Sequence, residues 1–148
     1  MEPNKGKIFK GDIIQTEDKI TGVKVKRLSN DTGNTYHPYF YHKLLDADNK
    51  NLLVGSDRTG SHQIYLLNLQ TGDMTQLTDM KESKDPLPWM VMDSYNNLVY
   101  FYDNNQFKRL RLDNLIEEEL FELPEGFKFT GLSITNKGDY VAVSYQEK

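Results

Sequence analysis

An all-β fold made of repeated four-stranded antiparallel units is what this sequence predicts, and three observations carry the prediction. Short apolar runs alternate with turn clusters every 8–12 residues or so, the pattern of sheets rather than helices. Nine tyrosines and seven phenylalanines sit among many Val, Ile, Leu and Thr residues, all suited to a pleated, half-buried surface. The third observation is an internal repeat. Lys50-Asn51-Leu52-Leu53-Val54 corresponds to Asn96-Asn97-Leu98-Val99-Tyr100 and to Gly138-Asp139-Tyr140-Val141-Ala142, at offsets of 46 and 88. Leu69 maps to Leu112, and Leu77 to Leu120, at 43. A four-strand unit recurring about every 40–45 residues has the length of one β-propeller blade.

The elements follow in order. Residues 13–16 and 23–29 flank a hairpin loop at 17–22. Residues 39–45 read as the first strand of a blade, ahead of the turn Asp46-Ala47-Asp48-Asn49-Lys50 and the strand 51–56. Asp57-Arg58-Thr59-Gly60 turns the chain into 62–69, and Gln70-Thr71-Gly72-Asp73 leads to 74–78. Residues 114–121 have the Leu and Glu content of a helix, but their place in the repeat predicts a strand. The expected organisation is a partial β-propeller in one domain, 1–148: a closing hairpin over 12–29, blade one over 39–78, blade two over 87–121 and half of blade three over 129–146.

Propellers close with four to eight blades, and interior blades are apolar on both sheet faces. The last half-blade is expected to leave one such face unpacked, because terminal repeats normally carry a polar capping face and this end shows none. A face on the order of 500 Å² forfeits about 12 kcal/mol at roughly 25 cal/mol per Å². That rivals the net stability of a whole domain. The chain is therefore expected to be a fragment, or to self-associate through the exposed blade face; a short self-capped sheet protein is the competing organisation. The opening hairpin fits the repeat too. Thr21-Gly22-Val23-Lys24-Val25-Lys26-Arg27-Leu28-Ser29 looks like the outer-strand segment Thr71-Gly72-Asp73-Met74-Thr75-Gln76-Leu77-Thr78.

Composition narrows the function classes. With no cysteine there is no disulfide framework and no thiolate nucleophile or metal ligand. A net charge of −4 argues against a general affinity for nucleic acid or anionic membranes. No apolar run reaches the roughly 18 residues of a membrane-spanning helix. Met1-Glu2-Pro3-Asn4-Lys5-Gly6-Lys7 has no apolar stretch behind it, so a cytoplasmic protein is expected.

The segment from Asp46 to Gly60, followed by Gln63-Ile64-Tyr65-Leu66-Leu67-Asn68-Leu69, resembles the WD40-like repeat of TolB-type propellers. Adding Thr21-Gly22-Val23-Lys24-Val25-Lys26-Arg27-Leu28-Ser29 and Tyr36-His37-Pro38-Tyr39-Phe40-Tyr41-His42-Lys43 in that order makes the chain resemble the start of the oligogalacturonate lyases, which are seven-bladed propeller enzymes. That resemblance implies cleavage of short pectin fragments, oligogalacturonides, by β-elimination. Such a reaction removes a proton α to a carboxylate. A divalent metal, manganese in that family, disperses the charge that develops there. A base takes the proton, and a cation such as arginine steadies the intermediate. The resemblance places the histidines and glutamine that hold the metal, with the catalytic histidine and arginine, in later blades. No catalytic or metal residue is therefore transferred to this chain, and the 148 residues alone are expected to be inactive. A non-catalytic TolB-like scaffold for protein interaction stays open as the alternative.

Strand alternation puts residues 36–42, 57–61, 79–88, 103–106 and 123–128 on one face, and 46–50 and 70–73 on the other. On the first face, His37, Tyr39, His42 and Arg58 are the candidate substrate-binding residues. Imidazoles and phenols offer an acidic sugar hydrogen-bond donors with flat apolar sides. His37 and His42 are five apart, so a continuous strand would point them to opposite faces. Arg58 has the chemistry to grip a carboxylate bidentately, but Asp57-Arg58-Thr59-Gly60 is equally an ordinary turn. His62 reads as surface, Trp89 as inter-blade core more than sugar platform, and Glu117-Glu118-Glu119 as a solvated sheet edge.

Overall fold

A computed structural model describes residues 4–29, 32–81 and 89–148. They form thirteen strands, all pairings antiparallel, in four sheets. The first sheet holds β1 (Ile8–Phe9), β4 (Thr35–Tyr36), β5 (Asn51–Ser56), β6 (Gln63–Asn68) and β7 (Met74–Gln76) in the order β1-β7-β6-β5-β4. The second holds β8 (Met90–Asp93), β9 (Leu98–Asp103), β10 (Gln106–Arg111) and β11 (Glu117–Glu122), each strand beside the next. Two hairpins complete the molecule: β2 (Ile14–Glu17) with β3 (Lys24–Arg27), and β12 (Phe127–Ile134) with β13 (Val141–Glu147). Among the described residues no helix is long and apolar enough to cross a membrane. Residues 114–121 are strand from Glu117 onward, after a turn in which Leu115 takes φ 56°.

The core lies between sheets. Leu53 and Ile64 of the first sheet and Met90, Met92, Val99, Phe101 and Leu110 of the second are buried in one cluster. Val91, Tyr100, Tyr102 and Phe107 pack from the opposite face of the second sheet onto Phe129, Leu132 and Val143. The second sheet is thus apolar on both faces, as a blade between blades must be. On the outer side of the first sheet, Val54, Tyr65, Leu67 and Met74 are covered by Phe9 and Leu28.

Three expectations are corrected. The inner strand expected over 39–45 is not continuous. β4 pairs Thr35 with Ser56 and Tyr36 with Gly55; the chain then leaves the sheet and rejoins it only where Leu44 O accepts Leu53 N and Leu45 bridges Leu52. Pro38 supplies no ladder N–H, and His42 N turns back to Tyr39 O at 2.9 Å, so the stretch loops out. The repeat register is also one residue off. Strand β5 superposes on β9 at 47 and on β13 at 89, with Asp46, Asp93 and Thr135 at the same turn position. At those offsets Val54, Phe101 and Val143 all face the preceding sheet; a one-residue slip turns every side chain to the wrong face. Finally, the outward face of the last hairpin is not apolar. Lys128, Thr130, Ser133, Ala142, Ser144 and Gln146 form it, small or polar throughout, so the lost-burial figure does not apply to it.

Candidate functional site

The looped-out segment between β4 and Leu44 builds the site. Its aromatic side chains gather on each other: ring centroids lie 4.8 Å apart for Tyr39 and Phe40, and 4.3 Å for Phe40 and Tyr41. Tyr39 is half exposed, and Phe40 and Tyr41 more so. Trp89, at the head of β8, meets this group from the second sheet, 5.4 Å from the His42 ring and 6.1 Å from Tyr39. Together Tyr39, His42 and Trp89 wall a cleft of about 410 Å³ whose other side is the β12 backbone at Gly131, Leu132 and Ser133. Trp89 also borders a wider groove of about 850 Å³ with Tyr102, Asn105, Pro124, Phe127 and Lys128. Loops 104–105 and 123–126 both line that groove, on the face the sequence assigns them.

His42 is the unusual member. Its Nδ1 is cut off from solvent and has no hydrogen-bond partner among the described residues. Burial pushes its pKa below the ordinary histidine value; the backbone at Met90 pulls the other way, and the charge on His37 adds to the lowering. Burial thus favours the uncharged imidazole.

The other candidates are placed differently. His37 is exposed, and its Nδ1 donates to the carbonyl of Pro38 at 2.7 Å. Arg58 lies over the Phe9 ring, its guanidinium carbon 5.5 Å from the centroid, on the side of the first sheet covered by the N-terminal segment. Its loop is the turn the sequence suggests: Gly60 takes φ 91° and its N–H reaches Asp57 O. The Asp57 carboxylate accepts from both the side chain and the backbone of Asn34, which hold its pKa below the usual carboxylate value. The structure thus brings Tyr39 and His42 together and leaves His37 and Arg58 outside that cleft. Between the two groups, His62 hydrogen-bonds through Nδ1 to the Tyr36 hydroxyl at 2.8 Å.

These histidines do not make a metal centre. Each ring has a separate neighbour, and the described residues contain no group of three or more His, Asp or Glu able to hold an ion.

Two further residues contribute. Trp89, read from the sequence as inter-blade core more than sugar platform, packs against the buried cluster of the second sheet and also walls both clefts. Gly55 is the other, and a glycine inside a strand pattern is a readable sign of close approach. A Cβ there would stand 2.1 Å from Cε2 of Tyr36, whose ring lies across the glycine. Gly55→Ala therefore drives the Tyr36 ring away, along with its bond to His62, just where the chain leaves the sheet. We expect Gly55→Ala to cost about 1–3 kcal/mol in urea unfolding. Tyr36→Phe, which removes only the hydroxyl, costs about 1 kcal/mol. Equal losses for the two would show that the ring's position over Gly55 is unimportant.

Comparison with known proteins places this geometry. The profile of the family described as oligogalacturonate lyase matches residues 4–145. The oligogalacturonate lyase of Dickeya dadantii is 28% identical over 132 residues, 89% of this chain and 34% of the relative. The oligogalacturonide lyase of Pectobacterium atrosepticum is 28% identical over 81% of this chain and 31% of its own length. A solved oligogalacturonate lyase in complex with manganese superposes with a TM-score of 0.81 at 25% identity, covering 92% of this chain and 36% of that one. The oligogalacturonate lyase structure from Vibrio parahaemolyticus gives 0.82 at 26% over 93% and 36%. A TolB structure from Agrobacterium tumefaciens, at 0.51 and 20%, shows likeness of fold alone. The chain spans about a third of the length of the relatives it matches.

Proposed function

The chain belongs to the oligogalacturonate lyase family, and we propose that it is the sugar-recognising third of an enzyme that cleaves oligogalacturonides by β-elimination. The observation that carries this reading is the cleft walled by Tyr39, His42 and Trp89. Aromatic faces pack against the C–H faces of a sugar ring, and a neutral imidazole nitrogen offers a hydrogen bond to a hydroxyl or carboxylate. The adjoining groove carries Lys128 and Lys148 against Glu122 and Glu125, so it offers charged partners of both signs and no net positive field. The groups that abstract the proton and hold manganese are proposed to lie outside these 148 residues. What the present residues do is bind and orient.

Trp89 is the single tryptophan, so its emission reports on the cleft. Digalacturonate is expected to change that emission in the 148-residue chain. His42→Ala is expected to weaken the binding about tenfold or more, since a hydrogen bond to a charged group contributes about 1.5–3 kcal/mol. With manganese added, no unsaturated product is expected to absorb. Product formed by this chain alone would overturn the placement of the catalytic groups, and an emission that ignores the sugar would overturn the cleft as its site.

A further inference from the structure

Among the described residues lining the cleft of Tyr39, His42 and Trp89, Lys43 alone is a lysine, arginine, aspartate or glutamate. The wider groove is different, since its two lysines stand against two glutamates. An anion entering the cleft therefore meets a cation that no carboxylate in the same lining offsets. Walls of one sign concentrate the field inside a cleft instead of cancelling it.

Three elements hold this lysine in place. Met92 N donates to Lys43 O at 2.7 Å, and Leu53 N donates to Leu44 O at 2.8 Å, so the main chain at 43–44 is pinned between β8 and β5. The side chain then crosses to the last hairpin, where Nζ donates to Asn136 Oδ1 in the β12–β13 turn. Residues 130–134 of β12 form the facing wall of the cleft, and Asn136 follows two residues after that strand ends. The ammonium is thus held at the end of the wall. Its partner there is an amide oxygen, which orients a cation without neutralising it and engages one of its three N–H donors. Elsewhere among the described residues, Lys5, Lys10, Lys108 and Arg109 are each matched by a carboxylate, from Glu117, Asp73, Asp103 and Glu118 in turn. Those charges are answered within the protein. Lys43 is oriented and keeps its charge for something else.

We infer that Lys43 is the residue by which this cleft selects an acidic sugar over a neutral one, its ammonium taking the carboxylate of a uronate whose ring lies against Tyr39 and Trp89. The inference rests on the cleft being the sugar site, and adds the group that reads the charge. The other walls do not read it. Aromatic faces accept the C–H face of any hexose, and an imidazole bonds a hydroxyl as readily as a carboxylate. A charge-assisted bond from an ammonium is the contact that a neutral hexose is unable to replace. The cleft, at about 410 Å³, has the volume of a small-ligand site.

Two variants separate the charge from the fold. Lys43→Met keeps most of the apolar stem and removes the ammonium. Asn136→Asp leaves the lysine where it is and supplies a carboxylate that neutralises it. Binding of digalacturonate, and of the neutral digalactose with the same linkage, is followed by Trp89 emission. The unsubstituted chain is expected to prefer the acid, and added salt to shrink that preference. Because Lys43 is exposed, each variant is expected to bind digalacturonate about three- to tenfold more weakly, and digalactose within about twofold of the unsubstituted chain. A preference that survives Lys43→Met overturns the inference and leaves the cleft as the sugar site. Equal weakening of both sugars also overturns it, since a loss of shape and not of charge does that. An emission that responds to neither sugar overturns the cleft reading and this inference with it. Far-ultraviolet circular dichroism unchanged by the substitutions confirms that the variants being compared are folded.

Discussion

Replacing Phe101 by alanine lowers the unfolding free energy by about 3–5 kcal/mol. Phe101 is fully buried in the cluster between the first and second sheets, where it meets side chains from both. Nothing on that interface is able to collapse into the space its ring vacates, because the facing residues are held by two separate hydrogen-bonded ladders. The loss is therefore the transfer of the ring plus the cavity it leaves. For a chain of this length, the melting temperature is expected to fall by roughly 6–20 °C. Urea unfolding followed by Trp89 emission at one fixed chain concentration measures it. Tyr140→Ala, at a site 76% exposed, is expected to change stability by no more than about 0.5 kcal/mol. A loss below about 2 kcal/mol for Phe101→Ala would mean that the two sheets do not share a packed core.

The second large effect is electrostatic in origin. Gln63 is buried, with every polar atom of its side chain engaged. Its Nε2 donates to Met80 O and Ser61 Oγ, and its Oε1 accepts Met80 N and Thr78 Oγ1, at 2.8–2.9 Å. Thr78 in turn accepts Ile64 N. Gln63→Leu keeps the bulk but strands both backbone groups of Met80 and the Thr78 hydroxyl. At about 1–3 kcal/mol for each orphaned group, and with groups in one network not strictly additive, the expected cost is about 3–5 kcal/mol. Adding Thr78→Val removes the orphaned hydroxyl while taking the acceptor from Ile64 N, a loss the single Thr78→Val variant shares. The double variant is then expected to lose less than the sum of the two single losses, a coupling of about 0.5–3 kcal/mol. Strict additivity would show that the bonds are incidental.

How far these features were legible follows from what each depends on. The β2–β3 hairpin and the Asp57-Arg58-Thr59-Gly60 turn were readable because a few local residues close them. The strand at Glu117–Glu122 was readable against its helical composition because the repeat requires an outer strand there. Residues 39–45 were not. Their aromatic content suits a strand, and only the missing N–H of Pro38 and the turn at Tyr39–His42 show that the chain leaves the sheet. Which of His37 and His42 meets Trp89 was not readable for the same reason, since alternation along a strand says nothing about a loop. Trp89 lies far from Tyr39 in sequence, and the meeting of their rings depends on how two sheets pack.

By itself the sequence determined that the chain is all-β, that it repeats a four-strand unit, and to which family it belongs. Those properties reside in periodicity, turn chemistry and residue order, each written within a few tens of residues. Tertiary structure alone decided the register of the repeat, the polar outward face of β12–β13, and the convergence of Tyr39, His42 and Trp89. Each of these depends on which face of one sheet meets another. A single residue of slip reverses that choice while leaving the composition of every strand unchanged.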